Sequence, residues 1–309
     1  RDGATHELVA TLPVLDAAAL QASLQREFAG VDGELGTLGR CAPQLARVLR
    51  GEQDPVQLLF PDGSFAEARQ LYVESPFART YNTALADLAR AAVAALPADA
   101  RLRVLEIGAG TGGTTGYLLP ALPQGRVDYT FTDLSPLFLE RARERFGATP
   151  GFVARLLDIE RDPVEQGLAA GSFDLVVAAN VLHATADLRE SLAHARRLMA
   201  PGALLLALEG VRAERWIDLT FGLTEGWWRF TDTALRPDYP LVDRAAWTRE
   251  LQALGFAEAH CLPAQDGGRR AFAQQAIVIA RAPRPSRRWL LAGGPAGLVD
   301  ALRARIEAR

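Results

Sequence analysis

RLRVLEIGAGTGG, residues 101–113, carries a short apolar run, Leu102, Val104, Leu105 and Ile107, that breaks abruptly into Gly108, Gly110, Gly112 and Gly113. A run of this length bounded by glycines reads as a buried strand entering a tight turn. Glycine admits positive φ and close backbone approach, and the following TTGYLLPAL reads as a helix whose unpaired N–H groups face the turn. A nucleotide-like ligand is expected there.

Spacing alone leaves that ligand open. Gly108, Gly110 and Gly113 fit G-x-G-x-x-G, the dinucleotide-binding pattern, and Asp133 lies twenty residues beyond Gly113, where an acid meets a ribose hydroxyl. A nicotinamide or flavin oxidoreductase is therefore one reading. Glu106, two residues ahead of Gly108, supplies another, because E-x-G-x-G at the end of a first strand resembles motif I of S-adenosylmethionine-dependent methyltransferases. A catalytically inactive scaffold is a third.

Outward from the turn, strand-like and helix-like segments alternate: VLEIG, a helix over 112–121, VDYTFTD, a helix over 135–146, VARLLDI, a helix over 162–169, FDLVVAAN, a helix over 187–199, and ALLLALEG. This predicts an α/β fold with a doubly wound, mostly parallel sheet. A helix over Arg244–Leu254, then strands near Ala257–Leu262 and Gln274–Arg281, predicts an antiparallel last strand. Ahead of the turn, helical spacing over Ala17–Leu49, Phe65–Tyr72 and Asn82–Leu96 predicts a helical lid over 1–100, with the core over 101–283. The sequence begins without Met, and the stretch from Trp289 to Gly297 reads as the opening of another α/β unit. Residues 284–309 are thus expected to start a following region of a larger polypeptide.

The chain has 309 residues, 49% of them hydrophobic and 23% charged, enough for a full core. A net charge of −3 and the lack of basic runs interleaved with aromatics give no reason to expect nucleic acid. Every basic side chain apart from four histidines is Arg, which we attribute to GC-rich coding. Cys41 and Cys261 stand alone, so neither a disulfide framework nor a metal site is expected. With no long apolar run and no export signal, the expected location is the cytoplasm, away from membranes.

In an open α/β sheet the residues just past the strand ends form one constellation. Here the expected cofactor site comprises Glu106, Gly108, Ala109, Gly110, Thr111 and Gly112, then Asp133 with Leu134, Asp158 with Ile159, and Asn180. Asp133 is placed for ribose hydroxyls, Asp158 for an adenine amine, and the Asn180 carbonyl for an ammonium group. His183 follows at the sheet mouth, and Glu209 ends the next strand, LLLALE. A carboxylate on one ring nitrogen fixes the imidazole tautomer and leaves the other nitrogen to take a proton, so the two form a candidate catalytic dyad. Gly222 to Pro240, GLTEGWWRFTDTALRPDYP, is long and aperiodic. Its Trp227, Trp228 and Phe230, with Tyr81 from the lid, are the candidate walls of an apolar substrate channel.

LLFPDGS, LEIGAGTGGTT, FTDLSPLFLERA, LLDIERDPVEQG, FDLVVAANVLHAT, LTFGLTEGWW and LRPDYPL, in a match running from about Leu58 to Arg281, together resemble the methyltransferase domains embedded in modular type I polyketide synthases. The resemblance implies a class I methyltransferase fold and S-adenosylmethionine as cofactor, bound through Glu106, Gly108, Gly110, Asp133, Asp158 and Asn180. It also implies a His–Glu dyad on His183 and Glu209. Its implied partners are an acyl carrier protein bearing the intermediate on phosphopantetheine, and neighbouring synthase domains, with residues 284–309 expected to start the ketoreductase-type region that follows such domains. Oxygen-methylating and carbon-methylating domains share these motifs. Because carbon-methylating members generally carry a larger N-terminal lid, the hundred residues ahead of the first strand favour methylation of a 3-hydroxyl or enol oxygen, with the α-carbon of a β-ketoacyl chain as the alternative.

Overall fold

The structure, a computed structural model, describes residues 15–61, 69–94, 100–265 and 273–284, together with 297, 300 and 305. β1 (Leu102–Ile107) forms at the apolar run and lies parallel between β2 (Val127–Asp133) and β4 (Phe173–Ala179). β3 (Phe152–Leu156) flanks β2, and β5 (Met199–Gly210) flanks β4, again parallel. The remaining two strands are β6 (Glu258–Leu262) and β7 (Gln275–Arg281). β7 inserts antiparallel between β5 and β6, giving the order β3-β2-β1-β4-β5-β7-β6. The sheet is therefore doubly wound and parallel apart from β7, as the sequence predicts.

Period-two alternation assigns the strand side chains to two faces. Val104, Tyr129, Phe131, Leu175 and Val177 look one way, and Leu105, Ile107, Val176 and Ala178 the other. In the N-terminal part, α1 (Ala17–Glu27), α2 (Asp32–Cys41), α3 (Leu45–Leu49) and α4 (Pro55–Leu59) precede a π-helical turn, Gln70–Glu74. α5 (Pro76–Ala94), α6 (Thr115–Ala121) and α7 (Pro136–Phe146) pack on the first face through residues such as Leu85, Leu118 and Leu139. α8 (Leu188–Leu198) covers the second through Leu188 and Leu192. After the short α9 (Arg215–Asp218), α10 (Arg244–Ala253) completes that layer with Trp247 and Leu251.

Two expectations change. Residues 162–169 form turns rather than a helix: the Asp162 carboxylate accepts from the Val164 amide at 2.9 Å, and Gly167 takes φ +83°, so local side-chain bonding outcompetes the helical ladder. α5, counted with the lid in the sequence, buries Tyr81, Leu85, Ala89 and Val93 against the sheet and so belongs to its packing. The expected elements at 62–68, 95–96 and most of 284–309 lie outside the described residues. Among the described residues no helix is long and apolar enough to cross a membrane.

Candidate active site

Beyond β1 the backbone turns through Gly108, Gly110 and Gly112 at φ +59°, +55° and +71°, the left-handed region open to glycine. The three missing side chains face different surroundings. A Cβ at Gly108 would lie 2.3 Å from Val181 Cγ2, and one at Gly112 would lie 2.7 Å from the Phe146 ring, so these two glycines serve packing. At Gly110 the nearest atom is the Gly108 carbonyl oxygen at 4.0 Å. Gly110 therefore opens onto the space where a ligand fits. The turn is tied to β2 by the Ala109 amide donating to the Thr132 carbonyl at 2.8 Å and by the Thr132 hydroxyl donating to the Glu106 carbonyl at 2.7 Å. Thr111 remains partly exposed beside Gly110.

Glu106 is turned inward from this rim. Its carboxyl group is 1% exposed, and one oxygen accepts from both Thr115 Oγ1 and Tyr129 Oη at 2.6 Å. The other oxygen has no hydrogen-bond partner. Desolvation pushes its pKa up to about 7, against the two hydroxyl donors. The carboxylate read in the sequence as a cofactor contact is thus a buried prop beneath the turn, because β1 alternation sends position 106 to the same side as Val104.

Asp133, at the end of β2, accepts the Gly110 amide on one oxygen and the Ser135 amide on the other, each at 2.8 Å. Burial raises its pKa while these amides oppose the rise. A carboxylate has more acceptor sites than these amides fill, which leaves capacity for a ribose hydroxyl. Leu134 beside it is 56% exposed, a flat apolar surface at the rim. Asp158 is pinned by Gln166, whose Oε1 accepts the Asp158 amide at 2.8 Å while its Nε2 donates to the Asp158 carbonyl at 2.7 Å. Ile159 points into the core at 5% exposure, so only its backbone is available to a ligand. Asn180 adopts φ +54°, a conformation that orients its carbonyl away from the strand direction. Its amide oxygen accepts from Gln275 Nε2 at 3.1 Å.

The dyad forms. Glu209, 0% exposed at the end of β5, reaches His183 Nδ1 at 2.6 Å. Its second oxygen accepts the Leu182 and Val181 amides at 2.8 and 3.2 Å. The Nδ1 proton is thereby held on the Glu209 side, which leaves Nε2 as the basic nitrogen.

The four candidate channel residues separate. Trp227 stands edge-on to His183 with ring centroids 5.2 Å apart and also meets Phe221 and Tyr239. Trp228 is 45% exposed and donates from Nε1 to the Gly222 carbonyl at 2.7 Å. Phe230 lies under the Arg236 guanidinium, 5.2 Å from it. Tyr81 is 4% exposed, and its hydroxyl donates to the Gln275 carbonyl at 2.9 Å. Tyr81 is a core residue: the apolar stripe of α5 faces the sheet and carries it inward. Sequence reading missed Arg236, Thr115, Tyr129 and Gln166.

Gly110 opening onto free space, Asp133 with spare acceptor capacity, and Asp158 and Asn180 past successive strands fit an adenosyl ligand with an amino-acid tail. Comparison with known proteins agrees. A family profile described as a methyltransferase domain matches residues 105–205. The polyketide synthase ThaQ of Burkholderia thailandensis is 44% identical over 246 residues, which are 77% of this chain and 12% of the synthase. Among solved structures, the CurJ carbon methyltransferase superposes with a TM-score of 0.82 at 44% identity, covering 87% of this chain and 72% of that one. The CMeT domain of the citrinin polyketide synthase superposes with a TM-score of 0.77 at 30% identity, covering 87% and 70%. The chain therefore belongs to the S-adenosylmethionine-dependent methyltransferase domains of polyketide synthases.

Proposed function

We propose that the chain methylates the α-carbon of a β-ketoacyl intermediate carried on the phosphopantetheine arm of an acyl carrier protein, as one unit among neighbouring synthase domains. The observation that carries the reading is the His183–Glu209 pair, a tautomer-fixed base at the sheet mouth beside the glycine turn. The likeness to carbon methyltransferases supports carbon as the acceptor, against the oxygen that the sequence favours.

When bound, S-adenosylmethionine supplies a methyl group on a cationic sulfur, an electrophile that needs no activation. The protein's task is to generate and align the nucleophile. His183 Nε2 takes the proton from the carbon between the two carbonyls. The electron pair left behind delocalises over the two carbonyl oxygens, giving a carbon nucleophile to which bound S-adenosylmethionine would supply its methyl group, the methyl–sulfur pair returning to sulfur. Glu209 stabilises the imidazolium, and the Val181 and Leu182 amides stabilise Glu209 in turn. Asp133 and Asp158 hold the ribose and adenine, Asn180 the amino-acid tail, and Trp227 keeps water from His183.

Incubation of the purified chain with S-adenosylmethionine and an acetoacetyl-pantetheine thioester, followed by mass-spectrometric fragmentation, tests this. The expected product carries the new methyl on the α-carbon. A methyl on oxygen overturns the assignment, and binding of NAD(P)H with none of the sulfonium ligand overturns the cofactor.

A further inference from the structure

The aperiodic segment after β5 does more than supply aromatics to the base. Arg236 is 1% exposed, yet among the described residues its hydrogen bonds all go to the loop that carries His183 or to the segment itself. One terminal nitrogen donates to the His183 carbonyl at 2.8 Å; the other donates to the Thr185 and Ala186 carbonyls at 2.8 and 3.1 Å. Nε donates to Asp232 at 2.6 Å, one helical turn earlier. The second Asp232 oxygen accepts the Leu188 amide at 3.1 Å, at the start of α8. Thr231 adds a backbone bond, its amide donating to the Ala186 carbonyl at 2.8 Å, and Phe230 covers the guanidinium plane.

Thr185, Ala186 and Asp187 join the 3-10 turn Leu182–Ala184 to α8, and the carbonyls of His183, Thr185 and Ala186 accept from the segment rather than from a sheet or helix ladder. Buried carbonyls need donors, and here one planar fork satisfies three of them. Glu209 holds the imidazole of His183 and Arg236 holds its backbone carbonyl. We propose that Arg236 is a positioning residue for the His183 base, and that it makes base alignment conditional on the 221–240 segment being seated. Trp227, on the same segment, meets the imidazole edge in this seated arrangement. When the segment lifts, the loop loses its donors and His183 loses its fixed orientation; when it closes, wall and base arrive together. Proton removal is thereby confined to the closed site.

This rests on His183 being the base, and the test separates the two claims. Arg236→Lys keeps the charge and a bond to Asp232 but cannot bridge three carbonyls in a plane. In that variant, turnover of acetoacetyl-pantetheine should fall roughly 10²-fold while its KM and the S-adenosylhomocysteine affinity stay within about twofold. The proton resonance of His183 Nδ1–H, assigned by its loss in His183→Gln, should broaden or vanish in the ligand-free variant. Wild-type turnover with an unchanged resonance overturns the proposal. So does a parallel loss of product affinity, melting temperature and turnover, which a merely structural residue gives. A lost resonance with unchanged turnover upholds the positioning and overturns His183 as the base.

Discussion

Glu209 grips His183 with one oxygen and the His183 loop with the other: Oε2 lies 2.6 Å from Nδ1, and Oε1 accepts the Leu182 amide at 2.8 Å. This division fixes what an amide would do in its place. In Glu209→Gln the carbonyl oxygen stays with the two loop amides, so the NH2 faces Nδ1 and forces the proton to Nε2. That tautomer cannot accept a proton from substrate. Glu209→Gln should therefore cost about as much as His183→Ala, roughly 10²-fold or more in turnover, with product affinity near wild type in both. Steady-state kinetics beside calorimetric titration of S-adenosylhomocysteine check this. A His183→Ala enzyme with unaltered turnover would leave alignment as the sole source of rate.

Gly110 and Gly112 should respond differently to a single methyl group. Gly110→Ala costs about 1–2 kcal/mol for the left-handed backbone and meets no protein atom closer than 4.0 Å, so the domain folds but loses cofactor affinity. Gly112→Ala drives a methyl to 2.7 Å from Phe146 and should show itself first in thermal denaturation. Equal binding loss in both variants at equal stability would contradict the assignment of Gly110 as the open position.

Glu106 confers a pH dependence on stability. Its pKa lies at about 7 rather than 4.5, so the folded state keeps a proton that the unfolded chain releases. The resulting stabilisation is complete below the unfolded value and is lost as pH rises through the folded one. Relative to Glu106→Gln, which keeps an acceptor for Thr115 and Tyr129, the wild type should lose about 3 kcal/mol between those two pH values. Urea denaturation of both proteins across that window measures the difference. A flat difference would mean that Glu106 is ionised throughout.

The two adjacent tryptophans should part company. Trp227→Ala removes the edge contact to the His183 ring and should lower turnover by roughly tenfold or more. Trp228, 45% exposed and tied only to its own segment through Gly222 and Tyr239 among the contacts described, should leave turnover within about twofold. Initial rates with the acetoacetyl thioester distinguish them; equal losses would make the pair a single wall.

Much of the site was legible because strand periodicity sends its chain to one edge of the sheet. Asp133, Asp158, Asn180, His183 and Glu209 could be aligned from the ends of the strands alone. Side-chain direction was harder. Glu106 lies one residue inside the strand, where a two-residue period decides whether a carboxylate meets solvent or core, and Tyr81 falls on the apolar stripe of α5. Arg236 escaped because an arginine in an aperiodic stretch ordinarily reads as solvated. The available signal was Asp232 four residues earlier, a spacing that pairs opposite charges across one helical turn.

β7 carries a consequence for assembly. Among the described residues β6 has no other neighbour in the sheet, and β5 has only β4 besides. A nascent chain emerging only as far as β6 thus presents two unpaired edges, open to mispairing with other chains. Gln275, at the head of β7, then closes the longest sequence loop described, its carbonyl taking the Tyr81 hydroxyl from 194 residues away while its amide steadies Asn180. Closure over such a separation is slow, and the Asn180 corner of the candidate site is finished only when it happens.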